Sequence, residues 1–485
     1  MPIPALSRTL WPQAAYIIQG LAVWRDKLLA IDSSTGYLLE IDPGTDNTRI
    51  LNSESWSEFV GVLGIAVWED TLWFTSRESV YCCELTSPKL QPKYCFNATD
   101  LVEGIAVRDD TIYLTCQRRA DILIYKRSTG SLITHLYAPG IGRENIVIQG
   151  EELWVTDDIE QTVYCLDRGT GDIKFSVLTP FAGPTALAFY RAAGSMEEVR
   201  YVAYADSEPY IRDNPNAEPN FELQYRDRTF LHPLNIRYNE AGRYARSNGF
   251  LVELTYTEEI SPLDPFLLEN LEWRIALPAE TDRQKIRLVE PVGMPFTEEI
   301  IEGQRIAVFK FPKLTERERY VFGWRAQLEV WSIKYQLQPP ECESLPALSA
   351  EYTTKYLQDD DDLAMGTDII LRSAESAIGT ETNLLRKMYS IRNYVYDRLS
   401  YGIKPHIDTP DIVLRRGVGS CGEYLGVLLA LSRLNGIACR TVGRYNCPPH
   451  PQQRKLPLIT DFKHVWIEFF VPGFGWLPME SNPDD

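Results

Sequence analysis

Cys421 stands in the stretch GSCGEYLGVLLALSRLNGIACR, Gly419 to Arg440, where a Gly-Ser turn opens a strongly periodic apolar segment. Leu425, Leu428, Leu429 and Leu434 recur at helical spacing and Asn435-Gly436 supplies a stop. The pattern predicts a helix that starts at or just after Cys421's approach turn. At such a start the sulfur faces backbone N–H groups and the positive end of the macrodipole, which favour the thiolate, the nucleophilic form. Gly417, Gly419 and Gly422 would leave room for a substrate backbone to come close. The plain alternative is a small hydrophobe capping a core helix, because cysteine is among the most buried residue types. On this segment alone the two readings balance.

A nucleophilic cysteine needs a base, and the base needs an orienting group. His464 opens HVWIEFFVPGFGW, in which Val465, Ile467 and Phe469 alternate with Trp466, Glu468 and Phe470, the period of a strand. PGFG at Pro472 to Gly475 makes a hairpin, and WLPME returns antiparallel. Glu480 then falls at the far end of the returning strand, near the level of His464. A carboxylate beside a histidine sets its tautomer and stabilises the imidazolium, and the histidine deprotonates the thiol. Cys421, His464 and Glu480 make a coherent Cys-His-acid relay, which turns the balance toward a nucleophile.

Cys421 with GSCGEYLGVLLALSRLNGIACRTVGRY, His464 with HVWIEFFVPGFGW, and the following LPME resemble the transglutaminase-like superfamily. Its pattern is a Gly-x-Cys helix, then GI-A-R-V-GY, then H-W-E…P-GW-P-D. The three motifs occur in order with family-like spacing over roughly residues 350 to 485. The resemblance implies a papain-like α+β core with Cys421 as nucleophile, His464 as general base and acid, and Glu480 orienting the histidine. It implies attack on an amide or peptide carbonyl through a thioester acyl-enzyme. Water as acceptor makes a protease or amidase, the favoured outcome from bacterial relatives; a lysine amine makes a crosslinking acyltransferase. A third outcome is a degenerate, non-catalytic domain on a protein-binding scaffold, which the intact Cys-His-acid set argues against. Glu480 occupies a position where the family usually has Asp, and its longer arm changes the geometry. Asp484 and Asp485 are weaker candidates for the acid.

Other side chains carry less. Tyr401 could lend a hydroxyl to an oxyanion hole, for which the backbone N–H of Cys421 is the more secure donor. Trp466 and Trp476 flank the His464 strands and read first as packing, second as walls of a peptide cleft. His450, in CPPHP, reads as a surface-loop residue, His406 as structural, and His135 and His232 as members of β regions. Cys439 and Cys447 lack a partner pair for zinc. Asp359 to Asp362 lack the spacing of an EF-hand loop and read as a solvated helix start. No cofactor and no metal is expected.

The elements that must position this site occupy the last third of a 485-residue chain, too long for one core. Five earlier segments echo one another about forty residues apart: GLAVWRDKLLAID at Gly20, GIAVWEDTLWFTS at Gly64, GIAVRDDTIYLTC at Gly104, NIVIQGEELWVTD at Asn145, and LAFYRAAGSMEEVRYVAYAD at Leu187. Each reads strand, tight turn, strand, and several continue into a third strand with a Ser-Thr-Gly-like turn. That period fits the blades of a β-propeller, about five of them. Six would fit if the N-terminal stretch and a late strand shared a blade. No His, Asp or Glu repeats at equivalent positions, so a protein-binding scaffold is the simpler reading than a metal-dependent propeller enzyme. From about Asn235, alternating strands with Pro and Gly turns predict an antiparallel β-sandwich. QPPECESLPALS looks like a linker. The expected architecture is multidomain and mainly β: a propeller over 1–228, a sandwich over 229–345 and a transglutaminase-like core over 346–485.

The net charge of -18 argues against nucleic acid and against an anionic membrane surface as partners. A peptide or protein substrate is expected, with a protein partner on the propeller. The N-terminal residues lack the pattern of a signal peptide, no long apolar run suggests a membrane span, and nine unpatterned cysteines fit a reducing cytoplasm.

Overall fold

A computed structural model describes residues 8–192, 194–213, 216, 221–260, 268–301, 303–315, 318–360, 362–446 and 461–482. It is mainly β. The chain divides into two units, one of residues 1–240 with 244–334, the other of residues 241–243 with 335–485.

In the first unit the repeats become sheets. Four consecutive sheets each hold four antiparallel strands in chain order. They run from Ile18–Trp24 to Thr48–Ile50, from Ile65–Trp68 to Lys93–Asn97, from Ile105–Arg108 to Ser131–Tyr137, and from Glu144–Gln149 to Ile173–Leu178. A fifth joins Pro184–Arg191, Glu198–Asp213 and Phe221–Pro233. The N-terminal stretch completes this sheet: Leu10 and Leu231 exchange two backbone hydrogen bonds of 2.8 and 3.0 Å. The five repeated segments are the first two strands of the five sheets.

The recurring glycine has a packing cause. The first strand of each sheet lies against the first strand of the next, and Ile18–Trp24 also meets Pro184–Arg191. A Cβ on Gly64 would sit 2.5 Å from the Glu103 carbonyl oxygen, and one on Gly104 would sit 2.7 Å from Asn145 Cα. Real side chains do not fit such gaps, so close sheet-to-sheet approach requires glycine. Hydroxyls tie the same contacts: Thr75 donates to Glu103 O, Thr115 to Glu144 O and Thr185 to Ile18 O, each at 2.6 Å. The acids that end some repeats hold turns. Asp32 and Asp157 are fully buried and each accepts four backbone N–H groups.

Two further sheets follow. One orders Arg237–Asn239, Tyr244–Ile260, Tyr320–Tyr335 and Gln284–Val292; the other orders Leu268–Ala276, Gln304–Leu314 and Thr297–Ile301. Ile275, Phe309 and Phe311 from the second share a core with Phe322, Trp324 and Leu328 from the first.

Among the described residues, the second unit holds five helices: α1 (Ala350–Tyr356), α2 (Asp368–Ile378), α3 (Leu384–Tyr396), α4 (Pro410–Arg416) and α5 (Cys421–Leu434). They pack with an antiparallel sheet of Cys439–Asn446, Asp461–Val471 and Gly475–Met479. The Met388, Ile391 and Val395 stripe of α3 faces this core, as its helical spacing predicts. The stretch expected as a linker is built into the unit: Cys342 is buried in the core, and Asn383 Nδ2 donates to Pro339 O at 2.7 Å. The acidic run precedes a turn, not a helix. Asp359 accepts the N–H groups of Leu363 and Met365, and Asp360 pairs with buried Arg433. Among the described residues, no helix is long and apolar enough to cross a membrane.

Candidate active site

Ser420 is the N-cap of α5 and Cys421 its first helical residue. The helix ends where Asn435-Gly436 predicts: Asn435 caps it and Gly436 takes φ +74. Tyr424, Leu425, Leu428 and Leu429 bury one side of it, so core packing fixes the direction in which its N-terminus points. Cys421 is half-buried, and every other described thiol except Cys82 and Cys95 is fully buried.

Glu423 is the residue that motif-reading overlooked. It is 1 % exposed, two positions past Cys421, and it bonds to the turn, the loop and the end of α4 that precede that cysteine. Its Oε2 accepts the Ser420 N–H at 2.8 Å; its Oε1 accepts the Asp408 N–H at 3.0 Å and Arg416 Nη2 at 2.7 Å. Arg416 also grips Asp408. Burial alone would push the Glu423 carboxyl up. The two backbone N–H groups and the guanidinium outweigh it and hold the group below its usual value. The signal was present as Ser-x-x-Glu ahead of an apolar run, a capping box.

The approach to Cys421 is a short parallel ladder: Ser400–Tyr401 pairs with Val418–Gly419, and Gly402 N–H donates to Gly419 O at 2.9 Å. The three glycines differ in role. Gly417, at φ +72, is the left-handed cap that ends α4. Gly419 is closed in by Glu423 Cβ and Val413 Cγ1, 3.2 and 3.3 Å from where its own Cβ would stand. Gly422 has ordinary space, with Ile407 Cδ1 at 3.8 Å. The loop beside it exposes Tyr401, Ile403 and Ile407, the two isoleucines at 77 % and 78 %. His406 is exposed on the same loop.

The His464 strand, Asp461–Val471, shares the core under α5 through Ile467 and Phe469. Its hairpin ladder with Gly475–Met479 ends at the Ile467–Met479 pair. Glu480 is thus one residue past the ladder, and its side chain spans the remaining gap. His464 Nε2 and Glu480 Oε1 are 2.6 Å apart, with side chains 13 % and 28 % exposed. The longer arm that distinguishes Glu from Asp is compatible with this contact. Ser481 N–H donates to the same Oε1 at 2.9 Å, and the Tyr396 hydroxyl donates to Glu480 O at 2.9 Å. Burial pushes the Tyr396 phenol up to about 12, so it stays a neutral donor. Nothing in the α3 sequence marked Tyr396; only the tertiary fold brings it to Glu480.

Trp466 is half-buried and pairs with Val442. Trp476 is a packing residue: it meets Tyr352, Tyr356 and Phe470, and Arg440 stacks 4.2 Å from its ring. Cys439 is fully buried, which pushes its thiol up to about 12 and keeps it inert. His450, Cys447, Asp484 and Asp485 lie outside the described residues. A depression of about 470 Å³ lined by Asp368, Arg372, Tyr394 and Arg415 lies on α2, α3 and α4 and includes none of Cys421, His464 and Glu480.

Residues 372–481, which contain all three, match the family described as the transglutaminase-like superfamily. No curated protein matches the chain. Among solved structures, a candidate cysteine protease from Cytophaga hutchinsonii is 17% identical, over 49% of this chain and 78% of that one, with a TM-score of 0.37. A glutaminyl cyclase from Myxococcus xanthus is 10% identical, over 47% of this chain and 96% of that one, with a TM-score of 0.32. Likeness this distant has no bearing on activity. The family match spans the segments that hold Cys421, His464 and Glu480, and residues 372–481 form a domain of the transglutaminase-like superfamily.

Proposed function

We propose that this chain is a cysteine enzyme that cleaves an amide or peptide bond through a thioester on Cys421. The observation that carries the reading is the 2.6 Å contact between His464 Nε2 and Glu480 Oε1, on a hairpin packed against the helix that begins at Cys421. With Nε2–H donated to the carboxylate, Nδ1 is the nitrogen that exchanges a proton with sulfur. Cys421 Sγ gives its proton to His464 and attacks the carbonyl carbon. The Cys421 N–H, at the helix N-terminus, steadies the oxyanion. His464 then protonates the departing amine, leaving the thioester. Water, deprotonated by His464, attacks the thioester and frees the acid and the thiol. Gly422 leaves space beside the sulfur, and exposed Ile403 and Ile407 favour an apolar group next to the attacked carbonyl.

The acceptor separates two outcomes. The family resemblance favours water; a lysine amine in its place would give crosslinking. The chain is read as a five-bladed propeller over 1–228, a sandwich over 229–345 and the catalytic core over 346–485. The successive first-strand contacts, closed by Ile18–Trp24 against Pro184–Arg191, support a ring. Its role in this proposal is to bind a protein partner or substrate.

Iodoacetamide labelling at neutral pH tests the site. Cys421 is expected to react about tenfold or more faster than the buried cysteines Cys83, Cys116, Cys165, Cys342 and Cys439, and His464→Ala to slow it. Equal labelling, or labelling unaffected by His464→Ala, sinks the enzyme reading and leaves a scaffold with a degenerate domain. Mass spectrometry of peptide mixtures with and without a lysine donor then separates hydrolysis, which adds water, from transfer, which joins two peptides.

A further inference from the structure

The second sheet of the first unit carries a chemical feature that the Cys421 reading does not use. Cys82 lies in the strand Ser79–Glu84 and Cys95 in its neighbour Lys93–Asn97. The two strands pair Val80 with Phe96 but Tyr81 with Tyr94, so Cys95 is the extra residue of a β-bulge. The bulge turns it to the face of Cys82, and the two sulfurs stand 3.3 Å apart. Both are half-buried, and Lys93–Asn97 is the edge strand of its sheet. Adjacent Cys83 points the other way, 4 % exposed in a core with Phe74 and Leu85. The two neighbouring cysteines therefore differ in kind.

We propose that Cys82 and Cys95 are an oxidisable dithiol that closes to a cross-strand disulfide by exchange with a low-molecular-weight disulfide. The Cys82 thiolate attacks one sulfur of the oxidant; the oxidant's S–S bond breaks, and one thiolate leaves and takes up a proton. A mixed disulfide on Cys82 results. Cys95 then loses its proton to solvent and attacks the Cys82 sulfur, forming the new S–S bond and expelling the second thiolate. Two cysteine thiols lose two protons and two electrons, and one small disulfide becomes two small thiols.

The order of attack follows from the surroundings. The Cys95 S–H, donated to Cys82, lowers the Cys82 thiol to about 7 against the opposing effect of burial, and Lys93 adds to the lowering. Cys95 is pushed up, chiefly as the donor in the same contact. Burial drives Cys83 up to about 12. Bonding requires the sulfurs to approach by roughly 1.2 Å, to about 2.05 Å. A bulged edge strand has one neighbour and a locally interrupted ladder, so it can give without disturbing the rest of the sheet.

The test uses the 485-residue chain carrying Cys421→Ala, which removes the competing thiol. The reduced protein is equilibrated across ratios of oxidised to reduced glutathione, alkylated, and mapped by tandem mass spectrometry. The expected result is a Cys82–Cys95 link with one two-electron midpoint, reversed by dithiothreitol, while Cys83, Cys116 and Cys165 stay alkylatable after unfolding. Cys83→Ser should keep the link, and Cys95→Ser should trap glutathione on Cys82. A link through Cys83, separate glutathione adducts on Cys82 and Cys95 without a link, or free thiols at a ratio that oxidises a reference dithiol peptide would each overturn the proposal.

Discussion

Glu423 contributes no atom to the proposed reaction, yet it determines how Cys421 is presented. Its carboxylate gathers Ser420, Asp408 and Arg416 around the start of α5. Replacing it by Gln keeps the shape but removes the charge that balances Arg416. Leaving one partner of a buried pair is costly, so Glu423→Gln is expected to destabilise the second unit by about 3 kcal/mol, measured by urea unfolding. The folded-state acid is lower than its ordinary 4.5, so its stabilisation is complete above that pH and is lost as pH falls below it. The wild-type unfolding midpoint should therefore drop more steeply on acidification through 4.5 than that of Glu423→Gln. Glu480 is the opposite case, a residue to which the proposed reaction gives a chemical role. Glu480→Gln retains an acceptor for Ser481 N–H but cannot stabilise an imidazolium. It is expected to lower kcat by about 10²–10⁴-fold with little change in the unfolding midpoint. Equal losses in both measurements would mark Glu480 as structural only.

At the scale of elements, the first strands of the repeats are the sensitive parts. Gly64 has its neighbour's carbonyl oxygen 2.5 Å from the place of a Cβ. Gly64→Ala must push two sheets apart, at about 1–3 kcal/mol, whereas Gly366→Ala, with nothing within 4 Å, should be near neutral. Urea unfolding of the two variants distinguishes them. The fourth sheet adds a pH dependence of the other sign. Glu144 is 3 % exposed; its Oε1 accepts Gly140 N–H at 2.8 Å. Burial lifts its acid to about 8; the Gly140 bond opposes and Asp157 adds to the rise. A raised acid stabilises fully below its unfolded value, near 4.5, and its contribution is lost as pH rises to 8. Wild-type stability should fall across that window relative to Glu144→Gln, which holds the neutral form throughout. Parallel curves would remove Glu144 from the account.

For the whole molecule, the decisive contacts join residues far apart in the chain. Leu10 is fully buried and its backbone completes the sheet that ends at Pro233. That pairing ties the start of the described chain to the last strand of the fifth sheet, so its loss is felt across the repeated sheets. Leu10→Ala is expected to cost about 2–5 kcal/mol and to lower the unfolding midpoint of the first unit. Labelling of Cys421 in the second unit should be unchanged. A midpoint unaltered by Leu10→Ala would mean that the fifth sheet stands without it.

The sequence by itself determined the repeat, the helix start at Cys421 and the hairpin after His464. Each follows from rules that act within a few residues: the two-residue period of a strand, the 3.6-residue period of a helix, and the turn chemistry of PGFG and Asn-Gly. It also carried the capping box at Glu423, visible as spacing but silent about Arg416 and Asp408. Other features were decided only in the tertiary structure. They are the reach of Glu480 past the end of its ladder, Tyr396 behind it, Leu10 beside Leu231, and the bulge that sets Cys95 against Cys82. These depend on how successive turns and sheet twists add up over tens to hundreds of residues. No local pattern encodes that sum, because a single-residue shift in register sends a side chain to the opposite face.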